Sequence, residues 1–219
     1  SFGTVVMNHA EALGAASIGA FDGTLHVGDG VTLFRPLGLT GSSTLSGGNN
    51  AFHIGNIIVN SGSPVKLRAP LASDTLTISD YTGGSSATTT VQGAGRVVLA
   101  GTNSYSGAYV VSSGTLRLTH ANAISSAASP IQINSGGTVE AAVASNYSGD
   151  WQLNGGTLRV QNNNGLGNGI STITVGGGSK IQLDGVIVDR PILLNDGGTL
   201  AATATSTYNQ SGFPKVSNS

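Results

Sequence analysis

The sequence predicts an all-β fold, a right-handed parallel β-helix of about eleven turns with roughly 20 residues per turn. Three observations point there. Segments reading Gly or Ser, Thr, aliphatic, any residue, aliphatic recur along the 219 residues. The glycines that open them return about every 20 residues, and fixed-period self-similarity decides the fold before any other signal. Stretches of helical period are nearly absent, Asn8 to Leu13 being too short to stand alone.

Taken in order, the series opens with Gly3-Thr4-Val5-Val6-Met7 and Gly23-Thr24-Leu25-His26-Val27. Ser42-Ser43-Thr44-Leu45 falls near the middle of a double gap, and Gly62-Ser63-Pro64-Val65-Lys66-Leu67 is a proline-bearing variant. Leu76-Thr77-Ile78 reads as the strand of an irregular stretch, and Gly95-Arg96-Val97-Val98-Leu99 as a looser copy. Five clear copies follow, opening at Gly114, Gly137, Gly156, Gly178 and Gly198. Each alternates apolar and polar positions and is bounded by Gly, Asn or Ser, which is a strand signal. The broken spacing between Gly62 and Gly95 leaves room for an irregular inserted loop near residues 79–90, around Tyr81-Thr82-Gly83-Gly84-Ser85-Ser86.

One motif recurring in one direction suits parallel stacking, about 4.7–4.9 Å per step, and the crossover rule makes the coil right-handed. A single coil buries too few aliphatic side chains to offset the entropy of ordering its backbone, so only stacking on neighbours stabilises it. Residues 1–219 are therefore expected to form one rod, a fragment of a longer repetitive chain, and not several domains.

Composition removes several function classes. Charged residues are 9% of the chain, against about 25% in ordinary globular proteins. The net charge of −1 offers no overall attraction to nucleic acid or an anionic membrane. Apolar runs such as Val186-Ile187-Val188 are too short to span a bilayer. Without cysteine there is no disulfide framework, thiol catalysis or thiolate metal site. Ser1-Phe2-Gly3-Thr4-Val5 reads as a strand and not as a signal peptide.

The alternation also assigns faces. Leu116 and Leu118, Leu158 and Val160, and Ile181 and Leu183 point inward, so Leu116, Leu158 and Ile181 should pile into one column. The outward residues between them read Arg117, Glu140, Arg159, Gln182, a structural ladder with one acid between two arginines. Carboxylates are otherwise scattered; the tightest group is an acidic patch of Asp184, Asp189 and Asp196 beside Arg190, where turn chemistry is the simpler account. His9 and His120 recur because the repeat recurs, and His26 and His53 have no partner at metal-ligand spacing. Gly28-Asp29-Gly30 and Gly176-Gly177-Gly178 lack the rest of a phosphate or calcium loop. Asn146-Tyr147-Ser148 fits the glycosylation acceptor pattern. No catalytic, cofactor-binding or metal residue is assigned.

The copy Gly101-Thr102-Asn103-Ser104-Tyr105-Ser106-Gly107, continuing through Gly114-Thr115-Leu116-Arg117-Leu118-Thr119-His120-Ala121-Asn122-Ala123-Ile124, resembles the autotransporter-associated β-strand repeat of bacterial autotransporter-like passenger domains. Gly3 to Gly14 and Gly156 to Gly167 are similar to its second half. Asn146-Tyr147-Ser148-Gly149 and Thr207-Tyr208-Asn209-Gln210-Ser211-Gly212 are similar to its Tyr-Gly opening, whereas Gly38 to Asp80 departs from the pattern.

The resemblance implies a secreted, cell-surface β-helix stalk, structural and adhesive, that presents or mediates surface interactions. Homo-oligomers or end-to-end self-association are expected, with a host-surface or glycan partner and neither nucleic acid, cofactor nor transmembrane segment. Two rival readings make different demands. A carbohydrate-active β-helix enzyme of the polysaccharide lyase or hydrolase kind needs a cleft with clustered carboxylates. A glycan-binding module needs an exposed aromatic or threonine row. Thr75/Thr77, Thr172/Thr174 and Thr203/Thr205 lie on distant turns, and Trp151 and the five tyrosines are spread along the rod.

Overall fold

The computed structural model describes residues 3–12, 14, 18–84, 86–125, 130–170, 172–203, 205–208 and 215–217, the backbone alone for 20, 21 and 215–217. Among these no helix forms, and every strand that pairs does so in parallel with strands one coil away. About ten coils of roughly 20 residues result, close to the number that length and period predict.

Two long sheets run the length of the rod. The first has eleven strands, from Thr4–Met7 through Thr24–Val27, Thr44–Gly47, Val65–Ala69 and Thr88–Gly93 to Ala108–Val111, Ile131–Asn134, Trp151–Asn154, Ile173–Val175, Ile192–Asn195 and Lys215–Ser217. The second has nine, from Thr32–Leu33, Ala51–His53 and Thr75–Ile78 through Arg96–Leu99, Gly114–Leu118, Gly137–Ala141 and Thr157–Val160 to Lys180–Leu183 and Thr199–Ala202.

A third face changes character along the rod. Four strands, Ile18–Phe21, Leu37–Leu39, Ile57–Val59 and Tyr81–Gly83, pair there first. The Tyr-Ser-Gly arms then replace them. Asn103 takes over the ladder with its side chain: its Oδ1 accepts from the Tyr81 N–H (2.8 Å) and its Nδ2 donates to the Ala123 carbonyl (2.8 Å). Ile187–Val188 and Thr207–Tyr208 pair as a short sheet further along.

The core is a single cluster in which inward residues stack coil on coil. Leu116, Val139, Leu158 and Ile181 occupy one register column and are fully buried, with Leu200 continuing it. The aromatic residues join them. Tyr81, Tyr105 and Tyr109 cluster with ring centroids 4.9 to 6.4 Å apart, and Tyr147 meets Trp151 edge-on at 5.3 Å.

The structure corrects one expectation. Residues 79–90 are not an inserted loop: Tyr81–Gly83 pairs with Ile57–Val59, and Thr88–Gly93 pairs with Val65–Ala69. The glycine spacing breaks because the motif changes face. The copies at Thr4, Thr24 and Thr44 lie in the first sheet, and those from Arg96 onward lie in the second. Any flat face that needs an alternating strand after a tight turn accepts the same residues, so the motif can switch without interrupting the coils.

Candidate functional site

A dense polar constellation lies on the outer face of the second sheet. Alternation along Gly137-Thr138-Val139-Glu140-Ala141 sends Val139 inward and Glu140 outward. Parallel register then sets Glu140 directly between Arg117 and Arg159, with Gln182 beyond Arg159. The Glu140 carboxylate lies 2.7 Å from Arg117 Nη1, 3.5 Å from Arg159 Nη1 and 3.6 Å from Arg96 Nε. Arg96 belongs to the adjacent outward column and reaches across two coils. The Glu140 side chain is 7% exposed, against 33–44% for the three arginines, so it sits beneath a lid of guanidinium groups. Gln182 turns to Asp184, donating from Nε2 to Oδ1 at 2.8 Å.

Asp184, Asp189 and Asp196 do not form a patch. Asp184 follows the second-sheet strand Lys180–Leu183, Asp189 follows Ile187–Val188, and Asp196 follows the first-sheet strand Ile192–Asn195. Each occupies a different corner of one coil, because a coil changes direction after every strand. Asp184 bonds Arg159 and Gln182. Slight desolvation acts to raise its pKa, but hydrogen bonds from Gln182 and Arg159 outweigh it and hold the carboxyl below its ordinary range. Arg190 is buried and donates to the carbonyls of Leu166 (2.7 Å) and Gly149 (3.0 Å), fastening two arms of the third face.

A groove of about 440 Å³ is lined by His26, Asp29, Asn49, Leu71 and Asp74 among others. Its carboxylates are engaged by backbone N–H groups. Asp29 Oδ1 accepts from the Asn49 N–H (2.9 Å), and Asp74 Oδ2 accepts from the Leu71 N–H (2.8 Å). No lysine or arginine lines the groove, and among the described residues no three His, Cys, Asp or Glu side chains are placed to share a metal ion.

The histidines follow local structure. His26 Nδ1 lies 3.1 Å from Ser46 Oγ on the next coil. His120 Nδ1 accepts from the Asn122 N–H (3.1 Å) within its own turn. His53 is buried in the core with neither ring nitrogen in a well-aligned hydrogen bond.

Trp151 and four of the five tyrosines are buried, so they form no external platform. The threonine pairs named from the sequence share no column; Thr203 bonds the Gly185 N–H and Ser206 in a turn, and Ala204 between Thr203 and Thr205 lies outside the described residues. Two threonine columns that the sequence reading missed do form on adjacent coils. Thr4, Thr24 and Thr44 align on the first sheet, and Thr115, Thr138 and Thr157 on the second, next to the arginines. The signal was one threonine per motif, directly after the glycine or, at Thr44, after Ser43, and not two within one strand.

Comparison with curated proteins and with solved structures finds no match. Among the described residues no helix is long and apolar enough to cross a membrane. Residues 90–118 and 141–160 match the family described as the passenger-associated-transport-repeat. Each segment includes one coil that runs through a Tyr-Ser-Gly arm and a first-sheet strand to a Gly-Thr-Leu-Arg strand of the second sheet, and the first segment begins earlier, within Thr88–Gly93, and also takes in Arg96–Leu99. The autotransporter passenger repeat that the sequence resembles is therefore present as two coils of this rod, and repeat and solenoid together fit an autotransporter passenger-like stalk.

Proposed function

We propose that this chain is a segment of a secreted or cell-surface bacterial stalk that carries or mediates adhesion and does not catalyse. The observation that supports this most is the stacking of the two family-matched coils, 90–118 and 141–160, in register with coils on both sides. A repeat whose inward aliphatic residues stack coil on coil suits projection of a surface over distance. Fusing the chain upstream of a bacterial outer-membrane translocator barrel tests it. External protease should then cleave the chain on intact cells; retention inside the envelope counts against the reading.

Self-association belongs to the same proposal. Coils of one repeated shape stack in register throughout the rod and share a single apolar interior, and copies of such a solenoid share that stacking geometry. Sedimentation at rising concentration should show larger species, and a strictly monomeric chain would remove this part of the proposal.

A further inference from the structure

Opposite charges occupy different parts of each coil. Of the ten carboxylates only Glu140 lies in a strand, whereas seven of the nine lysines and arginines do. Corner carboxylates accept from backbone N–H groups, as Asp22 does from Ser42 (3.1 Å) and Asp29 from Asn49 (2.9 Å). Lys66, Arg68, Arg96, Arg117, Arg159 and Lys180 instead project from flat sheet faces. A net charge near zero therefore hides basic faces between acidic corners.

The second sheet concentrates this. Arg96, Arg117, Arg159 and Lys180 share its outer face over five consecutive coils, about 19 Å along the rod at the parallel-strand spacing. Glu140 and Asp184 stand against them, and Glu140 is covered. Solvent meets guanidinium groups, with Thr115, Thr138 and Thr157 aligned beside them as a column of hydroxyls.

We propose that this face docks an acidic polysaccharide, carboxylated or sulfated, lying along the rod. Guanidinium forks take carboxylate or sulfate groups bidentately, and the threonine hydroxyls meet sugar hydroxyls between them. Charge density selects this partner. Duplex DNA presents one charge about every 1.7 Å, far more than four cations offset by two carboxylates can match over five coils. A single acidic sugar chain, with its acid groups set further apart than the phosphates of a duplex, comes closer to it. Among the described residues no exposed large apolar side chain lies on these coils of the face to anchor a membrane.

The inference deepens the surface-stalk reading and rests on it for access to an extracellular polymer. The test uses the whole chain with four probes in low salt: polygalacturonate, heparin, neutral dextran and duplex DNA. Binding to polygalacturonate or heparin is expected, whichever is preferred naming the acid group, with release as salt rises. The double variant Arg96→Gln/Lys180→Gln leaves Glu140 its closest arginine and should weaken binding about tenfold, roughly 1.4 kcal/mol. Lys66→Gln/Arg68→Gln on the first sheet should leave it unchanged. Folded chain that ignores both acidic polymers, binds DNA as tightly, or loses affinity equally with the first-sheet pair overturns the proposal. A chain displayed on cells that ignores both polymers loses this inference alone.

Discussion

The hydroxyl of Tyr105 lies where a side chain on Gly107 would have to begin. The same relationship joins Tyr147 to Gly149. Both rings are buried, and the Tyr147 hydroxyl donates to the Asp150 carbonyl at 2.9 Å. The Tyr-Ser-Gly arm is thus one packing unit: the ring fills the coil and the glycine makes room for its hydroxyl.

Gly107→Ala should therefore lower stability by about 1–3 kcal/mol, the cost of overpacking a filled site. Tyr105→Phe should recover only a small part of that loss in the double variant, because it removes one of the atoms in the way while the ring carbon that bore it and the Ala87 carbonyl remain. Thermal melts of the three variants check this; strictly additive effects would show that ring and glycine are not coupled.

Two neighbouring tyrosines should respond differently to loss of the hydroxyl. The Tyr109 hydroxyl is buried without a hydrogen-bond partner, whereas that of Tyr81 lies 2.7 Å from Thr89 Oγ1. Removing an unsatisfied hydroxyl relieves a desolvation cost, and removing a bonded one forfeits about 1 kcal/mol. Tyr109→Phe should raise the melting temperature or leave it unchanged, and Tyr81→Phe should lower it.

His53 gives the rod a pH dependence. Burial lowers its pKa from 6.5 to about 4, and neighbouring backbone groups of Gly55 and Arg35 offset only part of that. The unfolded chain then binds more protons than the folded one between those values. Stability is fully present above pH 6.5 and falls by about 3 kcal/mol as pH drops to 4. His53→Leu should flatten this window in melts at pH 7, 5.5 and 4.5. An unchanged slope would mean that His53 is protonated as readily in the rod as in water.

Glu140 should matter more than any one of its arginines. Arg96→Gln leaves two guanidinium groups at the carboxylate and should cost less than about 1 kcal/mol, as exposed ion pairs do. Glu140→Ala removes the one group that all three arginines share, leaving cations crowded on adjacent coils, and should cost about 1–2 kcal/mol. Chemical denaturation ranks the two; a larger loss for Arg96→Gln would contradict the geometry.

The amino-acid sequence by itself determined the solenoid, its period and its inward column. Leu116, Leu158 and Ile181 could be stacked on paper because alternation within a strand and spacing between strands are local properties, and the pairing of Arg117, Glu140 and Arg159 follows from the same register. The tertiary structure decided which face each strand joins. The same glycine-threonine motif serves the first sheet at Thr24 and the second at Thr115, since both faces impose the same alternation. It also decided that Asp184, Asp189 and Asp196 part at three corners, and that Glu140 is covered by an arginine two coils away. Those outcomes depend on where a coil turns and how far a long side chain reaches across its neighbours, which no local pattern specifies.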